Sequence, residues 1–85
     1  MISVTVKLYA SLAAHLPAEA RSTNAHPIQV AVDSSVAQTL APYSLPPELT
    51  KLVLVNGHYI APEERASHRL NDGDVIAVWP PIAGG

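Results

Sequence analysis

The sequence predicts an α+β domain: a mixed sheet with one short helix packed across it. Three observations carry this. Ile2, Val4, Val6 and Leu8 alternate with Ser3, Thr5, Lys7 and Tyr9, and a period of two puts one apolar face on a strand. Val75 to Trp79 is a nearly all-apolar run, which suits a strand that is central or covered on both faces. Between these two stands one capped helical segment, beginning at Ser35.

The elements follow in order. After the first strand, Leu8, Leu12 and Leu16 recur at spacing four, a turn of helix stopped by Pro17. Residues 18–26 are small and polar and read as a loop. Ile28, Val30 and Val32 alternate with Gln29 and Ala31 as a second strand, antiparallel to the first. Asp33, Ser34 and Ser35 offer capping oxygens, and Ser35 with Gln38 matches a capping box, each side chain satisfying a backbone N–H of the other residue. Val36 and Leu40 sit one turn apart, and Pro42 ends the helix after about two turns, since its ring clashes with the preceding turn. Pro46-Pro47 open a tight turn before Leu49.

Leu52 to Ile60 (LVLVNGHYI) reads as a hairpin closed by Asn56-Gly57, a pair suited to the two positive φ angles of a type I′ turn. Ala61 to Arg69 is irregular, and Asn71-Asp72-Gly73-Asp74 is a second strong turn. Pro80-Pro81 stop the last strand. If the first and last strands lie side by side and parallel, with the middle of the chain as their crossover, the fold is a β-grasp, the ubiquitin-like architecture. The domain is expected over residues 1–81, with 82–85 as a flexible tail.

Composition narrows the functions. The chain has 85 residues, 48% of them hydrophobic, enough for one core. Phe is absent and there is one Trp, so aliphatic residues fill that core. With five Lys+Arg and a net charge of -2, the chain lacks the basic footprint for nucleic acid. The absence of Cys excludes disulfides, a thiol nucleophile and Cys-based metal sites, and favours the cytoplasm for so small a domain. MISVTVKLYA lacks a basic segment before its apolar residues and reads as a strand rather than a signal peptide. No apolar run approaches the ~18 residues of a membrane span.

The candidate chemistry lies in the tail. A Gly-Gly ending arises by chance in about one chain in 200, so the context matters. Pro80 and Pro81 hold the exit extended and offer no N–H to the sheet, and beyond Ile82 the residues Ala83, Gly84 and Gly85 carry no bulk that could pack a core. Glycine lets backbone approach a catalytic centre closely, so such a tail suits threading into another enzyme's channel. A carboxylate there becomes reactive once ATP adenylates it. A sulfur nucleophile can then displace AMP and leave a C-terminal thiocarboxylate, with no catalytic side chain required of the carrier.

NGHYI (Asn56 to Ile60) and LNDGDVIAVWPPIAGG (Leu70 to Gly85) resemble the sulfur-carrier branch of ubiquitin-like proteins. The resemblance is first to the small subunit of molybdopterin synthase and second to the thiamine-biosynthesis sulfur carrier. ISVTVKLYASLAAHL is similar to the family's first strand and turn, and SSVAQTL to the start of its helix. The resemblance spans almost the whole chain and is strongest over the last 16 residues. Pro80-Pro81 favour the molybdopterin branch, while Ala61 to Arg69 looks more like the thiamine carrier.

The resemblance implies a carrier that is a co-substrate and not itself an enzyme. Gly85 would be adenylated by an E1-like enzyme using ATP and receive sulfur from a donor enzyme. The Gly84-Gly85 end would enter a larger catalytic subunit of molybdopterin synthase type. Sulfur would pass to a pterin precursor, forming the dithiolene that binds molybdenum or tungsten. Ile82 and Ala83 would give the tail access, with Trp79, Pro80 and Pro81 at the docking surface. No cofactor, nucleic acid or membrane is expected to be bound, and the carrier is expected to be a cytoplasmic monomer.

Other residues read more simply. His15, His26, His58 and His68 are 11, 32 and 10 apart, no helical ligand spacing, and read as solvent-facing, so no metal site is expected. Asp72 and Asp74 serve the turn rather than a carboxylate pair. Glu63, Glu64, Arg65 and Arg69 read as a solvated loop, and Ser34 and Ser35 as caps rather than nucleophiles. Trp79 is either core filler or a partner anchor. Two alternatives stay beside the carrier: a modifier joined through Gly85 to lysines of other proteins, and an interaction domain with an inert tail.

Overall fold

The computed structural model describes residues 1–81. Five strands form one mixed sheet: β1 (Ile2–Leu8), β2 (Ala25–Val30), β3 (Leu52–Val55), β4 (His58–Tyr59) and β5 (Val75–Trp79). Their order is β2-β1-β5-β3-β4, with β1 and β5 parallel and every other pair antiparallel. The first and last strands are therefore central neighbours, and the middle of the chain is their crossover. The helix α1 (Val36–Leu40) is the single α-helix among the described residues.

Strand alternation sorts the side chains. Val4, Val6 and Leu8 of β1, Val53 and Val55 of β3, and Ile76 and Val78 of β5 face inward and are buried. Leu12, Leu16 and Val36 close the core from the other side. The apolar run of β5 thus marks a central strand and not one covered twice: Val75 and Ala77 are half-buried on the outer face, and Trp79 is exposed there.

Local differences from the sequence expectations have identifiable causes. Leu8, Leu12 and Leu16 all reach the core, but through a 3₁₀ run over Ala10–His15; Ala10 enters at φ 54, and no side chain caps its start. The expected loop over 18–26 contains a second 3₁₀ turn, Ala18–Ala20, and the first residues of β2. β2 also ends before Val32, because Asp33 takes φ 68 and Ser34 turns the chain back onto the carbonyl of Ala31. Pro27 is accommodated within β2 because this strand lies at the sheet edge.

α1 is five residues long, shorter than the expected two turns. Ser35 accepts the N–H of Gln38 at 3.1 Å, and the Gln38 side chain accepts the Ser35 N–H at 2.8 Å, completing the capping box. Pro42 cannot donate to the Gln38 carbonyl, so the chain tightens into a 3₁₀ turn over Ala41–Tyr43 and leaves it at Ser44 with φ 53.

Both predicted turns form. Asn56 and Gly57 take φ 51 and 84, as a type I′ hairpin requires. Gly73 takes φ 88, and its N–H reaches the Ser3 carbonyl at 2.7 Å.

Candidate functional site

The candidate site starts where β5 delivers the chain to its tail. The outer face of the sheet can be read row by row from the register. Lys7 stands beside Ala77, Ala77 beside Leu54, and Leu54 beside Tyr59. In the row nearest the tail, Leu52 stands beside Trp79. Tyr9 extends that row: its ring stacks on Trp79 with centroids 3.9 Å apart and planes 8° from parallel. The Tyr9 N–H also donates to the Val78 carbonyl at 3.2 Å.

Trp79 is thus outer-face and 40% exposed, with Leu52 beside it 41% exposed and Tyr59, beside Leu54, 54% exposed. This decides against Trp79 as core filler. The arrangement is an apolar patch across β5, β3 and β4, extended by Tyr9, with the cation Lys7 of β1 beside Ala77. Pro80 is half-buried and Pro81 exposed, so the chain departs from the Trp79 edge of this patch. Ile82, Ala83, Gly84 and Gly85 lie outside the described residues.

The far end of the sheet is secured by polar side chains that could pass for chemistry. The Asp74 carboxylate accepts the Asn56 amide at 2.9 Å and the Asn71 N–H at 2.8 Å. Asn56 Oδ1 in turn accepts the Val75 N–H at 2.9 Å, and Asp72 accepts the Ser3 N–H at 2.7 Å. Both aspartates therefore serve the turn, tying together the start of β1, the hairpin and the start of β5.

The loop over 61–69 is not simply solvated. Arg65 donates to the carbonyls of Thr50, Lys51 and Ile60, pinning the hairpin's flanks, while Arg69 reaches the Asp33 carbonyl at 3.2 Å. Glu63 and Glu64 are exposed. The sequence signal for Arg65 was weak, because three carbonyls from distant positions converge on it.

Three of the histidines, His15, His26 and His68, are half-buried and depart from the solvent-facing expectation. His15 and His26 both meet Tyr43, at its carbonyl (3.1 Å) and its hydroxyl (2.8 Å). Burial pushes the Tyr43 phenol above its usual range. His58 is exposed. Among the described residues, no three His, Asp, Glu or Cys side chains stand together as a metal-ligand set. No helix there is long and apolar enough to cross a membrane.

Comparison with known proteins bears on this arrangement. The ThiS family matches residues 6–85. No curated protein sequence matches significantly. Among solved structures, the small archaeal modifier protein 1 from Methanosarcina acetivorans is 25% identical, covering 100% of this chain and 98% of that one, with a TM-score of 0.68. A putative molybdopterin converting factor subunit 1 from Pyrococcus furiosus is 21% identical over 96% of this chain and 100% of its own, with a TM-score of 0.65. The complex of subunits 1 and 2 of the molybdopterin-converting factor from Helicobacter pylori contains a chain 20% identical, covering 99% of this chain and 100% of that one, with a TM-score of 0.61. These neighbours share the β-grasp fold. The chain belongs to the ThiS family of ubiquitin-like sulfur carriers.

Proposed function

We propose that this chain carries sulfur on its Gly85 carboxylate for molybdopterin biosynthesis, as a protein co-substrate and the non-catalytic small partner of a larger subunit. The observation that carries the reading is the exit of the Pro80-Pro81 segment from the central strand, beside the stacked Tyr9–Trp79 pair, of which Trp79 is exposed, and ahead of a Gly-Gly ending. The rigid patch suits a partner that must hold the domain, and the slender tail suits a channel that must admit it.

The chemistry proceeds in two displacements. A Gly85 carboxylate oxygen attacks the α-phosphorus of ATP in an E1-like enzyme, and pyrophosphate leaves. A sulfide-level sulfur nucleophile from a donor enzyme then attacks the acyl carbon. AMP departs with the oxygen, leaving a thiocarboxylate. In the larger subunit this sulfur passes to a pterin precursor. Within the carrier, β5 and the Tyr9–Trp79 stack fix the point from which the tail reaches.

Pro80-Pro81 and the subunit-1 neighbours support the pterin over a thiazole acceptor. The test is reconstitution: the thiocarboxylated chain, a larger subunit and a pterin precursor should yield dithiolene, and the thiamine pathway's thiazole synthase should not be supported. Transfer to the thiazole alone would refute the pterin assignment. A second reading is favoured by the modifier neighbour at 25% identity: the same adenylate transferred to lysine amines of other proteins. Conjugates heavier than the chain, dependent on Gly85, would identify that use.

A further inference from the structure

We propose that a cleft on the helix side of the sheet binds a small organic anion with an apolar body, an aromatic carboxylate being the simplest member of the class. The cleft has a volume of about 440 Å³ and lies between the inner face of β2 and the α1–Tyr43 segment. That size falls in the ~300–1,000 Å³ span of small-molecule sites. It is separate from the tail surface. His26 and Ile28 pair with Val6 and Val4 and so share the core face, whereas Tyr9 and Trp79 occupy the opposite one.

Its walls are apolar, and its polar groups are those of His15, His26, Gln29, Gln38, Thr39 and Tyr43. Pro17, Ile28, Val30 and Pro42 supply the walls. Gln38 spends its side-chain oxygen on the Ser35 N–H, and among the described residues its NH₂ group has no protein partner. Thr39 is 3% exposed, and its hydroxyl has no hydrogen-bond partner among the described residues. A buried hydroxyl left unpaired is costly, and Thr39 lines the cleft.

The two imidazoles are oriented by one residue. A carbonyl can only accept, so His15 Nδ1 carries the proton in its 3.1 Å bond to the Tyr43 backbone oxygen. His26 Nδ1 engages the Tyr43 hydroxyl at 2.8 Å, and the rings of His26 and Tyr43 meet edge to face. Each Nε2 is left without a protein partner among the described residues. Both contacts at Nδ1 survive protonation, and an imidazolium then presents Nε2–H to the cleft.

The charged surroundings select an anion. Among the described residues, no Asp, Glu, Lys or Arg lines the cleft. Tyr43 is its remaining titratable group, and burial keeps that phenol protonated at neutral pH. The guanidinium of Arg21 sits on the carbonyls of Ala14 and Leu16, on either side of His15. A divalent cation would find two imidazoles and no carboxylate, whereas a carboxylate would find donors on several sides.

The experiment is a ¹H–¹⁵N NMR titration of the full chain with sodium benzoate, at pH 5.5 and pH 8. Saturable shifts are expected at Ile28, Gln38, Thr39 and the two imidazoles, with affinity about tenfold weaker at the higher pH, the worth of one charge-assisted hydrogen bond. His15→Gln with His26→Gln should abolish the pH dependence. Thr39→Val, which keeps the shape and removes the orphan hydroxyl, should weaken binding without loss of fold. Unshifted β3 and β5 amides report that each variant is folded. Absence of saturable shifts, or equal binding by the double variant, would overturn the proposal. Inorganic phosphate binding as tightly as benzoate would overturn the apolar-body requirement, and zinc chloride saturating the imidazoles while benzoate does not would replace the anion with a metal.

Discussion

Ile76 and Trp79 stand three positions apart on β5 and face opposite sides of the sheet, so their truncations should separate stability from docking. Ile76 is fully buried in the central strand. Ile76→Ala removes three carbon groups at ~0.8 kcal/mol each and leaves a cavity, for a total of about 3–4 kcal/mol. Trp79 is 40% exposed, and its ring stacks on Tyr9. Trp79→Ala loses that stack and part of its covered area, about 1–2 kcal/mol. A domain of this length has roughly 4–13 kcal/mol in all.

At about 4–8 °C per kcal/mol, Ile76→Ala should lower Tm by roughly 12–32 °C and Trp79→Ala by roughly 4–16 °C. Thermal unfolding followed by far-ultraviolet circular dichroism measures both. Binding to the larger subunit, measured below either midpoint, should fall at least about tenfold for Trp79→Ala, the scale of an interface hot spot. It should be unchanged for folded Ile76→Ala. If Trp79→Ala costs as much stability as Ile76→Ala and binds its partner normally, the outer face is not a docking surface.

Further outcomes follow from local geometry. Ser35→Ala breaks the capping box and should cost about 0.5–2 kcal/mol by urea denaturation. Gly73→Ala meets no atom within 4 Å but retains φ 88, so it should cost about 1–2 kcal/mol from backbone strain alone. Arg65→Lys cannot span the carbonyls of Thr50, Lys51 and Ile60, and should destabilise nearly as much as Arg65→Ala in the same assay. Because burial raises the Tyr43 phenol in the folded state, its contribution is fully present below the unfolded value of 10.0 and is lost as pH rises through the folded one. Stability should therefore decline above about pH 10, less steeply in Tyr43→Phe, as unfolding across alkaline pH would show.

The legible parts of this fold were those set by local rules. Period-two alternation in β1, the Asn56-Gly57 turn and the Ser35–Gln38 box each depend on residues a few positions apart, and each forms as read. β2 was misplaced because its inward set begins at His26, and a histidine and Pro27 obscure the alternation that Ile28 and Val30 continue. The 3₁₀ run after β1 kept its leucines inward while losing the helix, since burial pattern survives a change of helix type more easily than capping does. Arg65, the Asn56–Asp74 bond and the grouping of His15, His26 and Tyr43 were not legible. Each joins segments far apart in the chain, and no local spacing encodes them.

The candidate site divides in the same way. The Pro80-Pro81 exit can be read directly, because N–H-free residues carry their meaning in their own chemistry, while Gly84-Gly85 lies outside the described residues. The patch around Trp79 needed the register, since Leu52 and Tyr9 come from distant parts of the sequence.

The central claim, sulfur carriage on Gly85, is tested most directly by intact mass spectrometry. The chain is incubated with ATP, an E1-like enzyme from the same organism and a sulfur donor, beside a variant lacking Gly85. The account predicts a mass gain equal to exchanging one oxygen for one sulfur, absent from the variant. An unchanged mass with activators that load other carriers of the family, or the same gain in the variant, would contradict it.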